Sequence, residues 1–231
     1  MKFSRVVFLL LAASSCFAAT TYDLQADFST VSNPNGPWAY RQGAGLMVAG
    51  DANAFFGGAL GAPTPGWTGP FPDALFKAVV NGPGFDYLAG EIVAHTDTGG
   101  PNVNILWTAP FAGTANITGF TWIARDIGRS NTWSLLHNGV PITSGLIFSG
   151  DPFSEAFPFQ FVNGSGGAGA LTNVAIALGD TIELLYTNPG VGDLVGMNLN
   201  IELGAVPEPS ASLLVSTVLA GLAGFRFRRR K

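Results

Sequence analysis

The stretch Thr132–Ile147, TWSLLHNGVPITSGLI, decides the fold class of this chain. Asn138-Gly139 lies at its centre, and this dipeptide between two strand-like runs is the strongest short signal for a two-residue β-hairpin turn. The flanking segments Thr132–His137 and Val140–Ile147 are therefore predicted to pair as antiparallel strands.

Alternating apolar and polar residues, the mark of half-buried strands, recur on both sides of this hairpin. The predicted strands are Glu91–His95 and those carrying the apolar sets Tyr22, Leu24, Ala26 and Phe28; Val103, Ile105 and Trp107; Ile117, Gly119, Thr121 and Ile123; Phe157, Phe159 and Phe161; and Val195, Met197, Leu199, Ile201 and Leu203. Amphipathic helices are almost lacking from this pattern. The predicted fold class is all-β, an antiparallel β-sandwich of jelly-roll-like type over residues 19–205.

Two other stretches carry weaker predictions. Val174, Ile176 and Leu178 precede Gly179-Asp180, and Ile182, Leu184 and Tyr186 follow it, which predicts a second hairpin. By contrast, Gly43–Gly84 is rich in Gly and Pro and shows no sustained period, which predicts a long irregular excursion. Trp67, Phe71, Leu75 and Phe76 are expected to pin that excursion onto the domain.

Charge is distributed unevenly along the chain. Residues 19–206 contain four basic and fourteen acidic side chains, a net charge of −10, whereas the whole chain carries only −4. An acidic domain of this kind lacks the counter-charges that phosphates require, so nucleic acid is not an expected partner. Gly and Pro number 31 and 15 of 231 residues, below the share typical of unstructured chains, and eighteen Phe supply material for a core.

The first eighteen residues have the layout of a secretory signal peptide. Lys2 and Arg5 form a basic start, Val6–Ala13 is apolar, and Cys16-Phe17-Ala18 places small residues at the cleavage positions. Residues 1–18 are therefore predicted to be removed after Ala18. The alternative is a lipoprotein signal that leaves Cys16 acylated. No intramolecular disulfide is expected under either reading, because Cys16 is the only cysteine in the chain.

The last segment, residues 206–231, combines a proline-containing motif, an apolar run and a basic tail. Ala211–Phe225 has fifteen uncharged residues, which as a helix would span roughly 22 Å at 1.5 Å per residue, short for a bilayer core. Snorkelling of the arginine that follows would make up the difference. A single transmembrane helix is predicted, with its C-terminus held in the cytoplasm by a basic stop-transfer cluster. The basic residues of that cluster are Arg226, Arg228, Arg229, Arg230 and Lys231.

Pro207-Glu208-Pro209, the apolar helix and the arginine cluster together resemble the PEP-CTERM sorting signal of exported bacterial proteins. The resemblance implies that an exosortase, a membrane-embedded processing enzyme, is a partner and cleaves near the Pro-Glu-Pro motif. The prolines favour an extended backbone at that point, since they cannot propagate a helix. An ordinary C-terminal membrane anchor is the alternative.

A second resemblance covers most of residues 22–203 in short islands. They are Asp27-Phe28-Ser29, Asn33–Tyr40, Asn104–Pro110, Asn138-Gly139 and Gly179–Ile182. This part of the chain resembles the ectodomain common among PEP-CTERM proteins, which is in turn similar to carbohydrate-binding jelly rolls. No sugar-binding motif of such a family is matched residue by residue.

No catalytic or metal motif is present in the sequence. His95 and His137 have no triad or zinc spacing, and the carboxylate pairs Asp151/Glu155 and Asp180/Glu183 fall where turns commonly place acidic residues. Four aspartates are conceivable calcium ligands, but they lack the spacing of a known calcium-binding loop: Asp23, Asp27, Asp126 and Asp193. The prediction is therefore a non-enzyme with no metal and no cofactor.

Aromatic residues form the one candidate ligand-binding set. Flat rings with a polar N–H stack well on sugars, and the candidates for glycan stacking are Trp38, Trp67, Trp122 and Trp133. A place in the core is the competing expectation for each, and it is preferred for Trp107. Trp67, inside the Gly- and Pro-rich excursion, is expected to be the exposed one.

These observations predict an exported protein of the cell envelope or extracellular matrix, anchored in the membrane until its tail is processed. The expected role is non-catalytic, structural or adhesive. The alternative is a carbohydrate-binding module that holds exopolysaccharide, and a glycan-active enzyme is the least favoured reading.

Overall fold

The computed structural model describes residues 19–69, 73–96, 102–188 and 191–205, and within them the chain is an all-β protein with every strand pair antiparallel. The strands are β1 (Thr20–Asp23), β2 (Trp38–Gln42), β3 (Gly45–Leu46), β4 (Val48–Asp51), β5 (Pro65–Thr68), β6 (Ala74–Lys77), β7 (Ile92–Thr96), β8 (Val103–Thr108), β9 (Gly113–Ile123), β10 (Ser130–His137), β11 (Val140–Phe148), β12 (Phe159–Gln160), β13 (Val174–Ile176), β14 (Thr181–Thr187) and β15 (Asp193–Ala205). The helical pieces are α1 (Leu24–Asp27), α2 (Ala52–Phe55) and two 3₁₀ turns, Phe161–Asn163 and Ala168–Ala170.

Two sheets make up the described part of the chain. The nine-stranded sheet runs β12-β9-β15-β7-β6-β5-β4, with β1 also paired to β15 and β13 also paired to β9. The six-stranded sheet runs β11-β10-β14-β8-β2-β3. Long β9 and β15 pair over eleven residues, from Val195 opposite Ile123 to Ala205 opposite Gly113, and form the centre of the larger sheet.

The main core lies between the two sheets and is rich in large side chains. Ile105 and Trp107 of β8 face it from the smaller sheet, while Ile117 of β9 and Leu199 of β15 face it from the larger. A side-chain period of two explains the arrangement, because alternate residues of each strand point inward. The predicted β-sandwich is confirmed at this level.

A second apolar cluster covers the opposite face of the larger sheet. Phe76, Val93 and Trp122 point outward from their strands, and Leu60 and Tyr87 of the connecting segments cover them. The larger sheet is therefore buried on both faces along part of its width. This explains why strands such as β6 and β7 are apolar at consecutive positions rather than alternating.

The hairpin at Asn138-Gly139 is confirmed. Asn138 has a φ of 51° and Gly139 a φ of 78°, the two positive values that a type I′ turn requires. Strands β10 and β11 pair antiparallel on either side, with Trp133 opposite Gly145. Local sequence chemistry alone was enough to specify this element.

The predicted strand over Tyr22–Phe28 is wrong beyond Asp23. The Asp23 side chain accepts a hydrogen bond from the backbone N–H of Ala26 at 3.0 Å, which caps the single turn α1. The turn buries Leu24 completely. A capping aspartate therefore overrides an alternation that would otherwise have continued the strand.

The irregular excursion predicted for Gly43–Gly84 is also wrong, because the segment supplies β3, β4, β5 and β6. Gly66 of β5 lies so close to Phe76 of β6 that a Cβ at this position would approach the Phe76 Cβ to 2.8 Å. Glycine here permits close strand packing. In the sequence alone, Gly66 instead suggests a loop, because glycine is common in turns.

The second predicted hairpin, around Gly179-Asp180, is wrong in its pairing although both strands exist. β13 pairs with β9 in the larger sheet, and β14 pairs with β10 and β8 in the smaller one. The turn at Gly179 therefore carries the chain from one sheet to the other. Leu178, which would have faced the core of a hairpin, is 72% exposed.

Both predicted targeting segments, 1–18 and 206–231, lie outside the described residues. They include the sorting motif Pro207, Glu208 and Pro209 and the basic tail. Among the residues that the structure does describe, helices are all too short to cross a bilayer.

Candidate functional site

Three loops form an open groove at the end of the sandwich where β9 and β11 finish. They are residues 83–86, 123–127 and 148–154, and the space between them has a volume of about 800 Å³. The loops are far apart in the sequence, so the groove exists only in the folded domain. This groove is the candidate functional site.

Ser149 holds the loop after β11 to the loop after β9, through its backbone N–H and mainly through its hydroxyl. Ser149 Oγ accepts hydrogen bonds from three successive backbone N–H groups, those of Ile127 at 3.1 Å, Gly128 at 2.8 Å and Arg129 at 2.9 Å. Asp151 closes its own turn, accepting from the N–H of Phe148 at 2.7 Å and of Phe153 at 2.8 Å. Two walls of the groove are thus already shaped before any ligand arrives.

The third wall is attached to the other two through Asp86. Its backbone N–H donates to the carbonyl of Ala124 at 2.8 Å, and its carbonyl accepts from the indole N–H of Trp122 at 2.6 Å. Its carboxylate accepts from the N–H of Glu155 at 2.9 Å. Asp86 therefore connects all three loops.

Aromatic and apolar side chains give the groove a partly exposed apolar surface. Phe148 is 44% exposed and Ile127 is 41% exposed, while Phe85 and Phe153 are half-buried. The guanidinium of Arg125 lies 5.7 Å from the centre of the Phe85 ring, within cation–π distance. The groove can therefore contact both the apolar and the polar parts of a ligand.

Carboxylates outnumber basic groups around this surface. Asp86, Asp126 and Asp151 line the groove, and Arg125 is the basic residue among its lining side chains. Just beyond the lining, the pKa of Glu91 is raised to about 6. Burial is the main cause and the neighbouring carboxylates of Glu155 and Asp86 add to it, while a hydrogen bond from the Leu88 N–H acts in the opposite direction. The local potential is therefore negative.

Behind the groove lies a buried polar cluster of Thr96, Asn131 and Asp193. The Thr96 hydroxyl donates to Asn131 Oδ1 at 2.6 Å, and Asp193 Oδ1 accepts from the N–H of Leu194 at 2.8 Å. Asp193 Oδ2 and Asn131 Nδ2 have no hydrogen-bond partner in the structure. Burial raises the pKa of Asp193 to about 6 despite the nearby positive charges of Arg129 and Arg125.

All four tryptophans proposed for glycan stacking are buried, which corrects that assignment. Trp38, Trp122 and Trp133 are 0% exposed and Trp67 is 4% exposed, so the expectation that Trp67 is exposed is wrong. An indole enclosed in the core presents no face to a ligand. Trp107 is buried as expected.

Hydrogen bonds show why three of these indoles are held inside. Trp38 Nε1 donates to the Asp27 carboxylate at 3.0 Å, and Trp67 Nε1 donates to the carbonyl of Ser29 at 2.7 Å. Trp122 donates to the carbonyl of Asp86, as described above. Buried indoles commonly find such partners, and here the acceptors are the last residue of α1 and two loop residues, which the sequence does not identify as neighbours.

The other sequence candidates are dispersed over the domain. Asp151 lies in the groove, whereas Asp180 lies in the turn between β13 and β14, where its carboxylate bonds His137 Nε2 at 3.0 Å. His95 packs against Phe56, with ring centres 5.0 Å apart. Over residues 19–69, 73–96, 102–188 and 191–205, no three histidine, cysteine or acidic side chains cluster so that they could hold a metal ion.

Comparison with protein-family models and with curated proteins finds no match. Among solved structures, the chain is similar to the CBM36-1 domain of a multidomain xylanase from the hindgut metagenome of Trinervitermes trinervoides. The match has a TM-score of 0.34 and 17% sequence identity, and it covers 73% of this chain and 99% of that one. A likeness at this level assigns no function to this chain.

Proposed function

We propose that this protein is an exported, non-catalytic binding protein of the cell envelope, and that its loop groove holds a segment of polysaccharide. The observation that carries the proposal is the groove of residues 83–86, 123–127 and 148–154, pre-shaped by hydrogen bonds and lined by both apolar and polar side chains. We propose in addition that the β-sandwich around the groove is of jelly-roll-like type.

The lining suits a sugar better than a purely apolar ligand. A pyranose ring has an apolar C–H face and a rim of hydroxyls, and the groove offers Phe148 and Ile127 beside Arg125 and Asp126. The groove is open to solvent, so a polymer could enter and leave at its ends. Affinity for such a site is expected to be modest, since the exposed groups are only partly desolvated.

A binding role is preferred to glycoside hydrolysis because two of the three carboxylates that line the groove, Asp86 and Asp151, hold its loops in place. Both oxygens of Asp151 accept backbone N–H groups of their own loop, and Asp86 bonds the N–H of Glu155. A hydrolase needs one carboxyl group to act as an acid and a second to act as a base or nucleophile. Carboxylates that instead hold the loops in place favour a binding site over a catalytic one.

Polysaccharide pull-down with the full-length chain in detergent tests this proposal. Arg125→Ala and Asp126→Asn should each weaken retention by about tenfold, the loss expected for one or two hydrogen bonds to charged groups. Glu202→Gln is the matched control: Glu202 is exposed and pairs opposite Asn116 of β9, about 23 Å along the strand from Ile123. Absence of retention on every neutral, cationic and anionic polymer would reject the proposal in favour of a structural or adhesive role.

Export and processing form the second part of the proposal and depend on the two terminal segments. Residues 1–18 would direct secretion, and 206–231 would anchor the chain until an exosortase cleaves near Pro207-Glu208-Pro209. Mass spectrometry of the C-terminal peptide from exosortase-containing and exosortase-deficient cells tests it. We expect the shortened C-terminal peptide only in the exosortase-containing cells. An intact tail in both kinds of cell would contradict processing and indicate an ordinary membrane anchor.

A further inference from the structure

We infer that one end of the sandwich rests on the lipid bilayer while the tail is attached, so that the groove opens away from the membrane. This end, which we call the exit end, consists of the turns 109–112, 138–140 and 177–180 beside Ala205, the last residue of β15. The inference rests on the anchoring of residues 206–231 in the proposed function and adds the surface that contacts lipid.

Strand pairing places the start of the tail beside these turns. Ala205 is opposite Gly113 of β9, and Gly113 is also opposite Ile176 of β13, so the three residues form one row across neighbouring strands. Neighbouring strands lie about 4.8 Å apart, which puts Ala205 about 10 Å from Ile176. Leu178 follows two residues later. The chain therefore leaves the domain next to the turn that carries Leu178.

The connection to the predicted span is too short to hold this end far from a membrane. Residues 206–210 separate Ala205 from the apolar run that begins at Ala211. At about 3.5 Å per residue, the Cα atoms of Ala205 and Ala211 are at most about 21 Å apart, and lipid headgroups occupy roughly 5–8 Å of that distance. Ile123, at the groove, lies about 33 Å away along the paired strands β9 and β15. The groove is therefore at the end directed away from the bilayer.

Hydrogen bonds join the three turns of the exit end into one surface. The N–H of Ala109 donates to the carbonyl of Asp180 at 2.8 Å, and the N–H of Gly179 donates to the carbonyl of Ala109 at 2.9 Å. Asn138 Nδ2 donates to the Asp180 carboxylate at 2.9 Å, and the N–H of Thr181 donates to Asn138 Oδ1 at 2.9 Å. Turns connected in this way present their exposed side chains in fixed positions.

Apolar side chains project from this surface. Leu178 is 72% exposed and Val140 is 65% exposed, and Pro110 is exposed beside them in the chain turn between β8 and β9. Apolar groups held next to a bilayer gain free energy by leaving water for the boundary between headgroups and acyl chains. The short connection at Ala205 supplies that proximity, so lipid is the partner that this surface fits.

The charge of the exit end is compatible with anionic lipid. Residues 19–206 carry fourteen acidic side chains, and Asp180 is the one of them that lies in these three turns. Its carboxylate is occupied by Asn138 and His137. The next carboxylates, Glu183 and Glu202, lie two and three residues inside their strands, roughly 7–10 Å further from the bilayer. The exit end therefore adds little electrostatic repulsion.

Fluorescence quenching in vesicles tests the inference on the full-length chain. Cys16→Ser removes the one native cysteine and any acyl chain attached to it. Single cysteines then replace Leu178 or Val140 at the exit end, Leu146 on the edge strand β11 and Phe148 at the groove, all exposed positions. Each cysteine is labelled with a fluorophore, and the vesicles are equimolar phosphatidylethanolamine and phosphatidylglycerol with a nitroxide on the headgroups.

Labels at positions 178 and 140 should lose most of their fluorescence, because a nitroxide quenches only at short range. The label at 148 should lose almost none, since the groove lies about 33 Å from the exit end along the strands. The label at 146 reports whether the domain lies on its side and should also be largely unquenched. Leu178→Asp should restore much of the fluorescence at 140, because a charge at the headgroup boundary disfavours lipid contact, and the matched Leu146→Asp should leave it unchanged.

The possible contrary results are distinguishable. Quenching at 146 or 148 as strong as at 178 would overturn the inference, since another face of the domain would then meet the lipid. Four unquenched labels on protein that floats with the vesicles would also overturn it and leave the anchor standing, as would a Leu178→Asp variant that does not change the label at 140. Protein that does not float with the vesicles would contradict the proposed anchoring itself, and this inference with it.

Discussion

The hydroxyl of Tyr186 donates a hydrogen bond to Oγ1 of Thr121 at 2.8 Å, and this bond joins the two sheets through the core. Tyr186 lies on β14 of the smaller sheet, and Thr121 lies on β9 of the larger. Thr121 in turn donates to the carbonyl of Gly196 on β15 at 2.8 Å. Both side chains are completely buried, so the bridge is a polar link inside an otherwise apolar layer.

Replacing either side chain of this bridge should destabilise the domain, and the two replacements should differ in size. Tyr186→Phe removes one neutral hydrogen bond and should lower the free energy of unfolding by about 1 kcal/mol. Thr121→Val leaves the buried tyrosine hydroxyl without its acceptor and should cost about 2 kcal/mol. Denaturant unfolding measures both, with the half-buried Tyr22→Phe as the control. Equal losses for Thr121→Val and Tyr22→Phe would show that the bridge contributes nothing.

Close packing at Trp133 provides a second prediction. A Cβ added at Gly145 would lie 2.7 Å from the Trp133 ring, whereas one added at Gly45 would meet no atom nearer than 3.7 Å. Gly145→Ala should therefore lower the free energy of unfolding by about 1–3 kcal/mol, the range for overpacked cores. Gly45→Ala should change it by far less. If the two variants unfolded at the same denaturant concentration, the Trp133 ring would not be held as described.

Buried Asp193 predicts that stability falls as the pH rises. Burial raises its pKa to about 6 in the folded protein, above the usual value near 4, so between these pH values the folded state holds the proton more tightly. The free energy of unfolding should accordingly decrease by roughly 2 kcal/mol from pH 4 to pH 6.

Two variants separate the sources of this pH dependence. Glu91 also has a pKa of about 6 and contributes in the same direction. Asp193→Asn should remove most of the slope, and Glu91→Gln should remove a smaller part because Glu91 is less buried. A wild-type slope in Asp193→Asn, measured by urea unfolding across this pH range, would refute the prediction.

Asp180 predicts the opposite dependence at lower pH. Hydrogen bonds from the Ala177 N–H, Asn138 and His137 lower its pKa to about 2. Its contribution is therefore complete above the usual pKa near 4 and is lost as the pH falls through 2. Asp180→Asn should unfold more easily than wild type at pH 6, and the difference should vanish near pH 2. A gap of constant size in thermal unfolding at both pH values would contradict this assignment.

Elements determined by local chemistry were predictable from the sequence. Asn138-Gly139 specifies its hairpin because few other residues accept two successive positive φ values. The alternation in β9 likewise predicted its inward face, which Ile117 and Ile123 occupy. The sandwich class follows from such elements alone.

Partners chosen over long distances were not predictable. The turn at Gly179-Asp180 looks like a hairpin, yet nothing local reveals that β13 pairs with β9 instead of β14. The groove depends on loops that meet only in the folded domain. One part of it has a local signature in the sequence, because Asp151 two residues before Phe153 has the spacing of an Asx turn. The same holds for Trp67 and Trp122, whose indoles donate to backbone carbonyls of loops that only the fold brings beside them.

Hydrogen–deuterium exchange of the full-length chain, with and without a saturating oligosaccharide of a polymer that it retains in pull-down, tests the central claim most directly. A ligand seated in the groove should slow amide exchange in peptides covering 123–127 and 148–154 and leave the distant turn at 137–140 unchanged. Protection confined to other parts of the domain, or none at a concentration where binding is measured, would contradict the account of these loops as the ligand site.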